Sequence, residues 1–294
     1  MNTARTVRFR QIDAFTSVPF KGNPLAVVFD ADDFDTAQMQ AIARWTNLSE
    51  TVFLLQPDHP DADYRVRIFT TGGELPFAGH PTLGSAYALR DSGYRPRQPG
   101  RMVQQCGVGL VELSERDDGH WAFAAPPARI TPLPTEHHAA LVHALGSSAI
   151  DFDTPPCAVD NGAPWLVLRM HSAANCLAVQ PDATALAAVT HAAGTHGVAI
   201  YAPHDAEGPT HFEMRCLMSG GDFGLGEDPV TGSANAALAC LLDAQGKRPS
   251  ATYNVRQGTV LERDGRVAIS HDDDGHIWIG GDCVTVIEGS FWHP

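Results

Sequence analysis

Two stretches of this chain set polar residues at what read as helix entries. They are FAGHPTLGSAYAL, residues 77–89, and GEDPVTGSANAAL, residues 226–238. In each, a His-Pro or Asp-Pro step leads into Gly-Ser-Ala and a run of small residues. Proline suits a first helical turn because it has no N–H to leave unsatisfied. Asp228 before it reads as an N-cap. The next residues offer backbone N–H groups and a helix dipole, and Gly84, Ser85, Gly232 and Ser233 are small enough for a ligand to come close. That combination suits an anion, such as the carboxylate of a small substrate. His80 and Asp228 fall at matched positions yet differ in type, and acid–base chemistry needs such asymmetry. Glu50, in TNLSET, stands between a helix pattern and a strand pattern, where a side chain can face a cleft.

Each of these residues also has a purely structural reading. Asp228 could serve only as a cap, Ser85 and Ser233 as small packing residues, His80 as a satisfied core histidine, and Glu50 as solvated surface. Their correspondence between two copies favours a shared site.

The matched entries belong to a longer repeat. Residues 67–89 lie over 215–237 without a gap, and eight of the 23 positions are identical, including Arg67/Arg215, Pro81/Pro229, Gly84/Gly232 and Ser85/Ser233. Roughly two matches would arise by chance. Upstream, KGNPLAVVF (residues 21–29) resembles NGAPWLVLR (161–169), with Gly22 on Gly162 and Pro24 on Pro164. A period near half the chain is too long for a solenoid and means duplicated domains.

The elements that must position these residues follow one order in both copies. An apolar strand is followed by a helix. In the first copy this is DTAQMQAIARW, with Asp35 or Thr36 as cap and Met39, Ile42 and Ala43 at helical spacing. Alternating strands TVFLL and YRVRIFT come next. The Gly-Ser helix then has apolar residues on nearly all sides, the mark of a buried helix. Gly93 and Gly246 read as helix stops. The expectation is an α+β fold of two similar domains, each an antiparallel sheet rolled around a buried central helix. The boundary should fall in the Pro-rich stretch 125–138, giving domains 1–128 and 129–294, with the last residues returning to the first.

Composition bounds the partners. Asp+Glu number 34 against 20 Lys+Arg, a net charge of −14. Such a chain is a poor partner for nucleic acid or an anionic membrane. No apolar run approaches a membrane span, and the first residues lack the apolar core of a signal peptide. The six cysteines are scattered with no C-x-x-C pair, so neither a disulfide framework nor a zinc motif is expected. The chain reads as cytoplasmic. HDDDGH (residues 271–276) reads as a polar hairpin turn rather than a metal site, and GDFGLGEDP lacks the spacing of a dinucleotide fingerprint.

Taken together, DAFTSVPFKGNPLAVV, TNLSETVFL, FTTGGELPFAGHPTLGSA, QQCGVG and GEDPVTGSA resemble the PhzF-type phenazine-biosynthesis-like isomerases, which share the diaminopimelate epimerase-like fold. The resemblance covers essentially the whole chain. It implies that Glu50 is the catalytic glutamate and that His80 and Asp228 contact the substrate, alongside Ser49, Gly79, Gly232 and Ser233. It implies a homodimer, an active site between the domains, and no cofactor or metal. The related epimerases and racemases use two cysteines as bases. Here the matched positions carry Gly79-His80 and Glu227-Asp228, and Cys106 and Cys240 lie elsewhere, so a thiol-pair racemase is disfavoured. The reaction implied is that of trans-2,3-dihydro-3-hydroxyanthranilate isomerase, in which one glutamate moves a proton between carbons, first as base and then as acid. Two rivals stand beside it: a racemase or epimerase of an amino-acid-like compound, and a non-catalytic metabolite-binding protein that keeps the fold.

Overall fold

The computed structural model describes residues 5–116, 119–204, 208–219 and 225–293. The chain forms two compact units, residues 1–124 with 280–294, and residues 125–279.

The first unit contains β1 (Arg5–Ala14), β2 (Asn23–Val28), α1 (Thr36–Thr46), β3 (Glu50–Leu55), β4 (Tyr64–Phe69), β5 (Glu74–Leu75), α2 (Gly79–Asp91), β6 (Arg101–Cys106), β7 (Gly109–Glu115) and β8 (Trp121–Ala124). The second contains β9 (Arg129–Pro132), α3 (His138–Leu145), β10 (Cys157–Asp160), β11 (Trp165–Arg169), α4 (Ala173–Ala178), α5 (Ala183–Ala193), β12 (Gly197–Pro203), β13 (Phe212–Ser219), β14 (Leu225–Asp228), α6 (Gly232–Ala244), β15 (Thr252–Gln257) and β16 (Gly265–His271), and the chain returns to the first within β17 (Ile277–Gly281). The last strand, β18 (Cys283–His293), pairs with β1. The units part at 124/125, and β9 pairs with β10 within the second.

The sheets are mixed, not purely antiparallel. In the first unit β2 and β3 run parallel, as do β4 and β6. In the second, β11–β12 and β13–β15 are the parallel pairs. Parallel neighbours need a crossover, and the helices supply it: α1 between β2 and β3, α2 between β4 and β6, α4 and α5 between β11 and β12, α6 between β13 and β15. The central helices are the most buried. Every residue of α2 from Gly79 to Ala86 is inaccessible to solvent or nearly so, and α6 buries Gly232 and a run of Ala and Leu. Helix α2 packs on β1, β2, β3, β8 and β18, so the sheet wraps it. No helix among the described residues is long and apolar enough to cross a membrane.

Helix α1 sets the entry to Glu50. Its N-cap is Asp35, whose carboxylate accepts from Gln38 N at 2.8 Å while the Gln38 amide accepts from Asp35 N at 2.9 Å, a reciprocal capping box. Met39 and Ala43 face the core. The helix ends on Asn47 in the left-handed region (φ 55°), which turns the chain into Leu48, Ser49 and the first residue of β3.

The repeat is real in architecture but not gap-free. Arg67 on β4 makes a bidentate pair with Glu74 on β5, and Arg215 on β13 makes the same pair with Glu227 on β14. The partners are 7 residues apart in the first unit and 12 in the second. Ladder register agrees: Ile68 faces Leu75 and Cys216 faces Asp228. The longer second hairpin displaces everything after it. Gly79 therefore corresponds to Gly232 as first residue of the central helix, and His80 corresponds to Ser233. Pro81 lies inside α2, whereas Pro229 precedes α6. The expected partners Gly220 and Gly221 of the repeat lie outside the described residues.

Gly22 shows how tightly the first unit is built. A Cβ there would stand 2.3 Å from the Ala14 carbonyl oxygen and 2.6 Å from Thr16 Cγ2. Backbone cannot yield as a side-chain tip can. Gly22→Ala is expected to cost about 1–3 kcal/mol, as overpacking typically does, and to lower the urea midpoint. Gly289→Ala, where an added Cβ meets nothing within 4 Å, should stay within about 0.5 kcal/mol. Equal midpoints for the two variants would contradict the packing argument.

Candidate active site

Glu50 opens β3 opposite Leu25 of the parallel strand β2. His80 is the second residue of α2 and is 5% exposed. Its Nε2 lies 3.2 Å from Glu50 Oε2. Both atoms are shut off from solvent, and the contact is a close approach rather than an aligned hydrogen bond. Catalytic hydrogen bonds are often loose in ligand-free enzymes and tighten when substrate binds. The other ring nitrogen, Nδ1, is 3.3 Å from Nδ2 of Asn23, the fully buried first residue of β2. Burial lowers the His80 pKa to about 3, because an imidazolium there would lose its hydration. The ring beside Glu50 is therefore neutral at physiological pH.

Three elements bring this trio together. The turn before β2 delivers Asn23, the end of α1 delivers Glu50, and the start of α2 delivers His80. Gly84 holds α2 close to β2: a Cβ there would lie 2.5 Å from Leu25 Cδ2. Gly79 is the first residue of α2, and its N-cap, Ala78, makes no side-chain cap bond. Gly84 and Ser85 are buried in the second turn, not at the helix start as the sequence reading had placed them. Ser49 is exposed beside Glu50.

In the second unit Asp228 is the last residue of β14, not the N-cap of α6. That position belongs to Thr231, which makes no side-chain cap bond. The reason is the longer hairpin, which starts the helix later. Asp228 Oδ2 instead accepts from Thr231 Oγ1 at 2.5 Å. Buried Gln257 ties this corner together. It donates to the Asp228 carbonyl and to Thr231 Oγ1, and accepts from Thr231 N and Asn235 Nδ2, all within 3.0 Å. Ser233, second in α6, accepts through Oγ from Trp165 Nε1 at 3.0 Å, and its carbonyl accepts from Asn161 Nδ2 at 3.2 Å. Cys216 faces Asp228 across the ladder. Its thiol is pushed well above its usual pKa by burial, so it is not a thiolate base. Among the described residues no cluster of His, Cys, Asp or Glu could hold a metal. Asp272, in the 271–276 stretch, is bound within its hairpin by His276 N and Trp278 Nε1.

The structure thus gathers Glu50, His80 and Gly79 in one unit, and Asp228, Gly232 and Ser233 in the other. It adds residues that the sequence reading passed over. Asn23 sits in the quoted stretch KGNPLAVVF, and Asn161 in its repeat NGAPWLVLR. Each reaches the second residue of its own central helix. An amide beside Gly and Pro in both copies was the available signal. Gln257 carried none.

The phenazine biosynthesis-like protein family matches residues 12–289 of the chain. A Schizosaccharomyces pombe protein named antisense-enhancing sequence 1 is 36% identical, covering 96% of this chain and 97% of its own length. The trans-2,3-dihydro-3-hydroxyanthranilate isomerase of Pseudomonas aeruginosa is also 36% identical, covering 96% and 98%. Among solved structures, a PhzF-family phenazine biosynthesis protein from Bacillus anthracis aligns with a TM-score of 0.84 at 24% identity, over 98% of this chain and 99% of that one.

A buried neutral histidine leaves a signature in stability. In the unfolded chain His80 takes up a proton near its ordinary value of 6.5, and in the fold only near 3. Between these values the unfolded state binds more protons, so stability falls as pH drops through this window and is unaffected above it. His80→Asn cannot titrate. Urea unfolding from pH 7 to pH 4 should therefore show a shallower acid loss in the variant than in the wild type. Parallel curves would mean that His80 charges freely in the fold.

Proposed function

The chain belongs to the phenazine biosynthesis-like family and is an isomerase, and we propose that it moves a proton within a small cyclic or unsaturated amino or hydroxy carboxylic acid. In this reading the Glu50 carboxylate removes a proton from one carbon and, as the acid so formed, returns it to another. Inverting a carbon requires bases on two faces, whereas a shift along one face needs a single group that works in both forms. The named activity of the Pseudomonas aeruginosa relative makes trans-2,3-dihydro-3-hydroxyanthranilate the first substrate to try.

The observation that carries this reading is the neutral imidazole beside the carboxylate. An imidazolium 3.2 Å away would favour the ionised carboxylate and weaken it as a base. Burial keeps His80 neutral, so the imidazole can orient Glu50 without taking away its proton affinity. Asp228, Gly79, Gly232 and Ser233, with Ser49, hold the polar groups of the substrate in this reading. Gly84 and Ser85 support them from within α2. The reaction uses no cofactor or metal, the partner is a small carboxylate rather than nucleic acid or membrane, and the working form is a homodimer, to be checked by light scattering.

Glu50→Gln keeps shape and removes the base. It should leave the fold and much of the ligand affinity intact while lowering kcat by about 10²–10⁴-fold or more. Asp228→Asn should cost less, because the amide oxygen can still accept from Thr231, and His80→Asn should fall between. Substrate deuterated at the carbon that loses its proton should carry part of that label to the carbon that receives it. Near-normal turnover by Glu50→Gln with loss in Asp228→Asn would assign the base elsewhere. Racemisation of a single enantiomer would replace the isomerase reading with an epimerase.

A further inference from the structure

We propose that Asn23 is a positioning residue that locks His80 in the Nε2–H tautomer, so that the ring presents an N–H and not a lone pair to the Glu50 carboxylate. The proposal rests on Glu50 being the base.

The argument is one of donors and acceptors. The amide nitrogen of Asn23 carries two N–H bonds and no free lone pair. It faces His80 Nδ1 at 3.3 Å, so that ring nitrogen must accept. A neutral imidazole has one N–H, which then sits on Nε2. The ring is neutral because it is buried. Nε2 is the atom 3.2 Å from Glu50 Oε2, so the N–H it carries is the donor nearest the carboxylate, although the two are not aligned as a hydrogen bond.

The opposite amide orientation shows what is at stake. With Oδ1 of Asn23 on Nδ1, the proton would sit on Nδ1, and the Nε2 lone pair would meet Oε2. Two lone pairs face each other there unless Glu50 is protonated. Asn23 therefore selects the ionised, base-ready carboxylate. Oε2 is shut off from solvent and lies 3.2 Å from the ring, while the Glu50 side chain keeps 15% exposure. The carboxylate then takes and returns the substrate's proton while His80 stays neutral.

The surroundings make the lock rigid. Asn23 is fully buried, follows the crowded Gly22, and pairs with Ala14 across the β1–β2 ladder. Its reach to the second residue of α2 has a parallel in Asn161 and Ser233, where no histidine is present.

Nitrogen-15 NMR of imidazole-labelled protein reads the tautomer directly and needs no substrate. His80→Asn identifies which of the 14 histidine signals belongs to His80. The ligand-free wild type should show His80 as Nε2–H at neutral pH. An Nδ1–H or imidazolium pattern would overturn the proposal. Asn23→Asp offers Nδ1 a carboxylate acceptor and should convert the signal to Nδ1–H or imidazolium. It should also lower kcat by about tenfold or more, with a smaller change in KM. An unchanged tautomer, or a changed tautomer with full turnover, would overturn it as well. If that variant does not fold, the wild-type spectrum decides. If the wild type turns over no substrate tried, the substrate assignment fails separately, and the tautomer still stands or falls on the spectrum.

Discussion

The cost of placing a charge where water cannot reach organises this protein's first unit. His80 lies at the start of a helix whose first turns are fully enclosed, and desolvation lowers its pKa to about 3. A neutral imidazole must then find a donor on one side and an acceptor on the other, because an unsatisfied buried polar atom is expensive. Asn23 meets Nδ1 and Glu50 approaches Nε2, both from neighbouring parallel strands. The carboxylate therefore has a neutral dipole and not a charge as its neighbour.

That enclosure depends on small residues. A helix can sit inside a rolled sheet only if the two backbones come close, and Gly84 against Leu25 is where they do. The crossover role of α2 between parallel strands fixes its direction, so its N-terminus emerges beside the ends of β2 and β3. The second unit repeats the plan with α6, but its start is held differently. Gln257, Thr231 and Asn235 form a closed set of hydrogen bonds around the Asp228 corner. The two copies have kept the scaffold and diverged in the groups at the helix starts: histidine with asparagine in one, serine with tryptophan and asparagine in the other.

Relatives with different names share this scaffold, and the second hairpin explains why sequence matching alone misplaces its details. Five additional residues between Arg215 and Glu227 leave the ion pair intact and displace everything that follows. The apparent match of HPTLGSA with DPVTGSA is a likeness of residue types at positions that are not equivalent in the fold.

Much was legible in the sequence because it is local or repetitive. Period-2 and helical patterns, the Asp35 cap, the glycine stops and the duplicated order of elements follow from short-range stereochemistry, and so do the candidates Glu50 and His80 from their setting at element ends. What only the tertiary structure decided is long-range. Parallel pairing of β2 with β3 cannot be read from alternation, since a strand's pattern is the same whichever way its neighbour runs. The placing of Asp228 before the cap, and the correspondence of His80 with Ser233, depend on a ladder register set by Arg–Glu pairs across a hairpin. The meeting of Asn23, Glu50 and His80 joins residues separated by up to 57 positions. Side-chain type fixes what each can donate or accept, but only the packing of α2 on β2 and β3 removes the water and brings those atoms within reach.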